Sequence, residues 1–141
     1  MGSVSHAPEF RWPIRVYYED TDAGGVVYHS DYLKYFERAR TEWLRSLGFE
    51  QPELRAIDGV IFVVRSIRIK YAQPARFNEM LEVASRLMEI GRSRFVFEQS
   101  LLRGEEVLTE AHVEVACVAD ATFRPTALPA RIRQQFESAL S

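Results

Sequence analysis

The chain has 141 residues, of which 47% are hydrophobic and 27% charged, and its formal net charge is −2 at pH 7. This length is typical of one domain that buries a core without disulfides to hold it. The balance of charge lacks the basic excess of proteins that bind nucleic acid, so we expect no such partner. The single cysteine, Cys117, excludes an intrachain disulfide, and its apolar surroundings predict a buried thiol rather than a nucleophile.

The beginning of the chain and its hydropathy predict a cytoplasmic protein. Residues 1–10 are interpreted as a flexible arm, followed by one domain over residues 11–141. The arm lacks the apolar run of a signal peptide, and no segment approaches the ~18–20 apolar residues of a membrane span.

A first strand is predicted at about residues 11–18, where Pro13 favours an edge position or the start of pairing. A long helix is predicted from Asp31 to about Leu47, because apolar residues recur there at three-to-four spacing. Ser30 is its predicted N-cap and Gly48 the residue after its end. Apolar residues on two faces predict an enclosed helix: Tyr32, Phe36, Ala39, Trp43 and Leu47 on one face, Leu33 and Leu44 on the other.

The rest of the chain alternates apolar and polar residues with period two, which predicts strands. These strands cover about residues 60–71, 81–87, 95–102 and 107–118. Gly91 and Gly104 mark hairpins between them, and a short helix is predicted at residues 130–140 after two prolines. The order of elements predicts an α+β fold in which the long helix packs on the concave face of an antiparallel sheet.

The segment from Glu19 to Ser30 carries most of the functional signal. It places Asp20, Asp22, a Gly24-Gly25 turn and His29 just before the long helix. Glycines let backbone approach a ligand closely, and a helix N-terminus presents unpaired N–H groups. A carboxylate beside such donors suits acyl transfer to water, in which negative charge appears on a carbonyl oxygen. The same residue types also form ordinary strand-to-helix turns, so the segment alone leaves both interpretations open.

The segment RVYYEDTDAGGVVYHS (residues 15–30) and the helix YLKYFERAR (32–40) resemble the hotdog-fold acyl-CoA thioesterases. The similarity is to the 4-hydroxybenzoyl-CoA thioesterase-like branch and, within it, to the YbgC-like enzymes associated with the Tol-Pal system. It extends from about Phe10 to Phe136 and includes FVVR (62–65), YAQPAR (71–76), GRS (91–93) and RPTALP (124–129).

The resemblance implies a hotdog fold, a homodimer or homotetramer with active sites at subunit interfaces, and acyl-CoA hydrolysis. Coenzyme A would enter as part of the substrate, so no retained cofactor is expected. The acyl group could also arrive on acyl carrier protein. Two rival functions stay open: an acyl-thioester hydratase or dehydratase, and a binding role toward acyl carrier protein or phospholipid-synthesis enzymes at the inner membrane.

The resemblance also implies roles for residues of the first motif. Asp22 corresponds to the catalytic aspartate, either as general base or as nucleophile. His29 corresponds to a backbone N–H that polarises the thioester carbonyl, and its imidazole either orients substrate or packs. Gly24 and Gly25 would allow close approach of the acyl group, and Tyr28 would line the pocket.

Residues further along the chain complete the candidate site. Glu37 on the long helix is interpreted as a supporting carboxylate rather than the catalytic one. The hairpin residues Arg92, Ser93 and Arg94 are associated by the resemblance with the nucleotide end of coenzyme A, since arginine suits phosphate. No metal site is expected, because nothing else supplies the ligands that Asp20, Asp22 and His29 would still need and hydrolysis by this route needs no metal.

Overall fold

One antiparallel sheet of five strands dominates the computed structural model, which describes residues 9–140. The strands are β1 (Phe10–Arg15), β2 (Val60–Tyr71), β3 (Met80–Ile90), β4 (Arg94–Arg103) and β5 (Glu106–Ala119), in the spatial order β1-β3-β4-β5-β2. β1 and β2 are therefore the edges, and the edge position predicted from Pro13 is confirmed. Of the predicted arm, residues 1–8 lie outside the described residues, and Phe10 already belongs to β1.

The long helix α1 (His29–Ser46) packs on the concave face of the sheet, as predicted. Its buried face includes Tyr35 and Trp43, and the Trp43 ring meets Phe97 of β4 edge-on with centroids 4.8 Å apart. The helix ends as expected: Gly48 has φ +93°, a backbone conformation that glycine adopts readily. The prediction that both faces are enclosed is wrong for Leu33, which is 42% exposed.

The C-terminal helix α3 (Ala130–Leu140) closes the far end of the core and confirms its prediction. Its Phe136 ring lies 4.9 Å from that of Phe95 and 5.1 Å from that of Trp43. Cys117 is buried as expected, and this burial raises the pKa of its thiol to about 11.

Two local structures differ from the sequence-based prediction. The first strand stops at Arg15, because Tyr18–Asp20 forms a 3-10 turn. The segment between α1 and β2, for which the sequence pattern predicts no element, forms a short helix α2 (Gln51–Glu53) that continues as a π-helical turn (Leu54–Asp58). Neither structure has the long apolar periodicity on which sequence-based assignment depends.

Candidate active site

A tight loop presents Asp22 ahead of α1. Thr21 and Val27 form an isolated antiparallel bridge, and the Asp22 N–H donates to the Val26 carbonyl at 2.9 Å. The Asp22 side chain is exposed, and its Oδ1 accepts the Gly24 N–H at 2.8 Å. Its Oδ2 accepts no hydrogen bond from any of residues 9–140. The carboxylate is thus held by one oxygen and open on the other.

The two glycines of the loop serve different needs. Gly25 has φ +78°, in the left-handed region that favours glycine. At Gly24, an added Cβ would lie 3.3 Å from Asp22 Oδ1, tighter than ordinary van der Waals contact. Gly25 therefore allows the turn, whereas Gly24 leaves room for the Asp22 carboxylate.

The first turn of α1 follows directly and presents free donors. The helix begins at His29 and its N-cap is Tyr28, so Ser30 is not the cap that the sequence predicted. No side chain of the described residues caps this end, because the Tyr28 phenol cannot reach back as a Ser or Asp would. In the described part of the chain, the N–H groups of His29 and Ser30 have no acceptor. These donors and the positive end of the helix dipole favour negative charge nearby.

Asp20 plays a different part from Asp22. It is buried, and its Oδ2 accepts both the Tyr17 N–H and the Tyr35 hydroxyl at 2.9 Å. The 3-10 turn points the Asp20 side chain inward, whereas that of Asp22 faces outward. The contacts of Asp20 agree with a structural role.

The side of the site beyond His29 is formed by the end of β2. The His29 imidazole stacks on the Tyr71 ring with centroids 4.5 Å apart and planes inclined by 29°. Next to this pair lies a cavity of about 260 Å³, lined also by Val27, Tyr32 and Gln73. Tyr71 and Gln73 belong to the family-like YAQPAR segment (71–76), which is the sequence signal for this side of the site. Tyr28 is exposed beside the helix start, within reach of a ligand there.

Glu37 lies away from this loop. It is eight residues beyond His29, roughly 12 Å along α1 at 1.5 Å per residue. There it lines a second cavity, of about 330 Å³, between α1 and β2. Arg40 lines the same cavity and donates to Gln99 Oε1 at 2.9 Å. Burial lowers the pKa of Arg40 to about 10, against the opposing effect of Glu37.

The Arg92–Arg94 hairpin is not brought to the Asp22 loop within one chain. Arg94 pairs with Ala116 on β5, whereas Tyr71 pairs with Thr109 of the same strand. Those β5 positions are seven residues apart, or roughly 23 Å at the rise of a strand. Arg94 also forms an ion pair with Glu89, and Arg92 is exposed.

Among residues 9–140, no group of three or more His, Cys, Asp or Glu side chains is placed to hold a metal ion. No helix in the same range is long and apolar enough to cross a membrane.

A long helix wrapped by a curved antiparallel sheet, with an acidic loop at the helix start, is the architecture of a hotdog thioesterase. The chain belongs to the thioesterase-like superfamily, whose family model matches residues 16–136. It is 47% identical over 129 residues to the acyl-CoA thioester hydrolase YbgC of Escherichia coli O6:H1, covering 91% of this chain and 96% of that one. It is 45% identical over 127 residues to the acyl-CoA thioesterase YbgC of Haemophilus influenzae, covering 90% and 93%.

A solved structure supports the same assignment. The crystal structure of a probable thioesterase from Bartonella henselae matches with a TM-score of 0.83 and 38% identity, over 86% of this chain and all of that one. The predicted family and hotdog fold are therefore confirmed. The prediction of a thioester hydrolase agrees with the names of these relatives.

Proposed function

We propose that the protein hydrolyses the thioester of an acyl-CoA to a carboxylic acid and free coenzyme A. The proposal rests on one arrangement. The loop that carries Asp22, with one carboxylate oxygen open, leads directly into a helix start at which two backbone N–H groups have no acceptor among the described residues. Coenzyme A is part of the substrate, and the reaction needs no retained cofactor. The proposed site of action is the cytoplasm, and acyl carrier protein is an alternative acyl donor.

The residues divide the work between attack and charge stabilisation. Asp22 either takes a proton from the attacking water or attacks the carbonyl carbon itself. The carbonyl oxygen gains negative charge and accepts the N–H groups of His29 and Ser30. The C–S bond then breaks and the thiolate of coenzyme A takes up the proton that the attacking water gives up. On the direct route the acyl group is first transferred to Asp22, and water then hydrolyses this mixed anhydride to release the acid and regenerate the carboxylate. Gly24 and Gly25 leave room for the acyl group, and Tyr28 borders it.

We infer further that two copies complete the site. β2 is a twelve-residue edge strand with one neighbour among the described residues, and its Val64 is 49% exposed. Antiparallel pairing of β2 with β2 of a second copy would remove this edge. It would also bring the Arg92–Arg94 hairpin of one copy, which lies at the Val63 end of β2, beside the Asp22 loop of the other. Arg92 and Ser93 would then face the phosphates of coenzyme A, and further association would give a tetramer.

The test is release of free thiol from short-chain, long-chain and aromatic acyl-CoAs and from an acyl carrier protein thioester. Asp22→Asn should lower kcat by at least ~10²-fold without changing the thermal midpoint, since the side chain is exposed. Glu19→Gln is the matched control, because it neutralises a neighbouring exposed carboxylate that makes no hydrogen bond in the described chain. Thiol release indifferent to Asp22 would overturn the mechanism, and no release from any substrate would favour the binding role.

Oligomeric state is measured separately by sedimentation velocity. Val64→Lys places a charge on the free edge of β2 and should shift the protein toward monomer. A wild-type protein that sediments as a monomer at assay concentration would contradict the paired-edge proposal.

A further inference from the structure

We propose that Tyr71 is a positioning residue: its ring holds His29 so that the first turn of α1 keeps its free N–H groups where the thioester oxygen needs them. The inference rests on the proposed hydrolase function and adds to it a residue on another element of the fold. Tyr71 would touch no reacting atom and would act through His29.

The contact between the two residues joins the end of β2 to the first residue of α1. The rings stack with centroids 4.5 Å apart, and the Tyr71 hydroxyl donates to the His29 carbonyl oxygen at 3.4 Å. Side chain and backbone of His29 therefore both meet Tyr71. The hydroxyl contact is long for a hydrogen bond, so the stacked ring makes the larger contribution.

Tyr71 is itself held in place by Tyr32, which packs against its ring. The Tyr32 ring meets it edge-on with centroids 5.2 Å apart, and the Tyr32 hydroxyl accepts the Ala75 N–H at 3.0 Å. The Ala75 carbonyl in turn accepts the Val27 N–H at 2.9 Å, next to the loop that carries Asp22. The Asp22 loop and the helix start, the two parts of the proposed site, thus both contact the same segment, Tyr71–Ala75.

The helix start needs such support because no side chain among residues 9–140 caps it. Tyr28 makes no side-chain cap bond, and uncapped helix ends fray. Donors of an oxyanion site must be held in place before the reaction, and a displacement of about 1 Å can cost ~10²-fold in rate. A ring stacked on the first helical residue supplies this restraint.

The first experiment compares kcat and KM in the full-length protein. Tyr71→Leu removes the stacked ring and should lower kcat by ~10–100-fold with KM within ~3-fold of wild type. Tyr71→Phe keeps the ring and should restore kcat to within ~3-fold. Tyr18→Leu is the matched control, because Tyr18 is an exposed tyrosine whose ring contacts Phe77 and not His29, and its kcat should not change.

Three results of this comparison would overturn the proposal. These are an unchanged kcat in a folded Tyr71→Leu protein, a rise in KM alone, and a loss in Tyr71→Phe as large as that in Tyr71→Leu. A double-mutant cycle adds an independent criterion: His29→Ala combined with Tyr71→Leu should lose little more than either change alone. Additive losses would mean that the two residues act separately.

A spectroscopic readout separates this inference from the hydrolase proposal. The chain has three histidines, so His29→Ala identifies the His29 imidazole resonances directly. Stacking on Tyr71 should give these resonances a ring-current shift that persists in Tyr71→Phe and disappears in Tyr71→Leu. The shift tests the stack even if no acyl-CoA is hydrolysed, and its absence in wild type would overturn the positioning role.

Discussion

Asp20 and Tyr35 share a buried hydrogen bond of 2.9 Å, which ties the start of the Asp20–His29 segment to the second turn of α1. The Tyr35 side chain is fully buried, and the same Asp20 oxygen also accepts the Tyr17 N–H. The Asp20 carbonyl accepts the Tyr28 N–H at 3.0 Å, just before the helix begins. Asp20 therefore fixes both the entry to and the exit from the Asp22 loop.

Removing the Tyr35 hydroxyl should destabilise the protein. Tyr35→Phe leaves a buried carboxylate oxygen with one donor fewer, and we expect the free energy of unfolding to fall by ~1–3 kcal/mol. Urea unfolding at pH 7 measures this. Tyr17→Phe is the control. Because the Tyr17 ring is exposed, this substitution should change the free energy of unfolding by no more than ~0.5 kcal/mol. Equal effects from the two variants would show that the buried bond adds nothing.

We also expect the hydrogen bond between Tyr35 and Asp20 to make the folded state less stable at alkaline pH. Burial, and then the hydrogen bond to Asp20, raise the pKa of Tyr35 above its ordinary value. Above pH ~10 the unfolded chain gives up this proton while the native state keeps it. The stabilisation is thus complete below pH ~10 and is lost as the pH rises toward the folded pKa. In urea unfolding from pH 8 to 11, the difference between wild type and Tyr35→Phe should shrink, whereas a constant difference would contradict this linkage.

The two glycines of the Asp22 loop should separate activity from stability. Gly25→Ala forces a Cβ into a positive-φ position and should cost ~1–2 kcal/mol of stability. Gly24→Ala crowds the Asp22 carboxylate at 3.3 Å, so it should lower kcat by roughly tenfold and leave stability within ~0.5 kcal/mol. Thermal melts and thiol-release assays on both variants check this. A Gly24→Ala protein with full activity would show that the carboxylate tolerates displacement.

The sequence predicts the parts of the fold that depend on local patterns. The three-to-four spacing through Phe36 and Trp43 predicted α1, and period-two alternation predicted the long strands. The sequence does not predict the hydrogen bond between Asp20 and Tyr35, because the two residues lie fifteen positions apart. The Tyr71–His29 stack was missed for the same reason, since 42 residues separate its members. Contacts of this kind depend on how elements pack, which local periodicity does not encode.

Cys117 should be nearly inert in the folded protein. Its thiol is fully buried, and burial raises its pKa to about 11, so the thiolate fraction at pH 8 falls by ~100-fold relative to an ordinary thiol. Alkylation by iodoacetamide at pH 8 should therefore be at least ~100-fold slower than that of glutathione, and should become comparable in denaturing urea. A native protein that reacts as fast as glutathione would contradict the burial. The result also decides how thiol-release assays are interpreted: a folded variant contributes little signal of its own, whereas one that unfolds exposes a new thiol that mimics turnover.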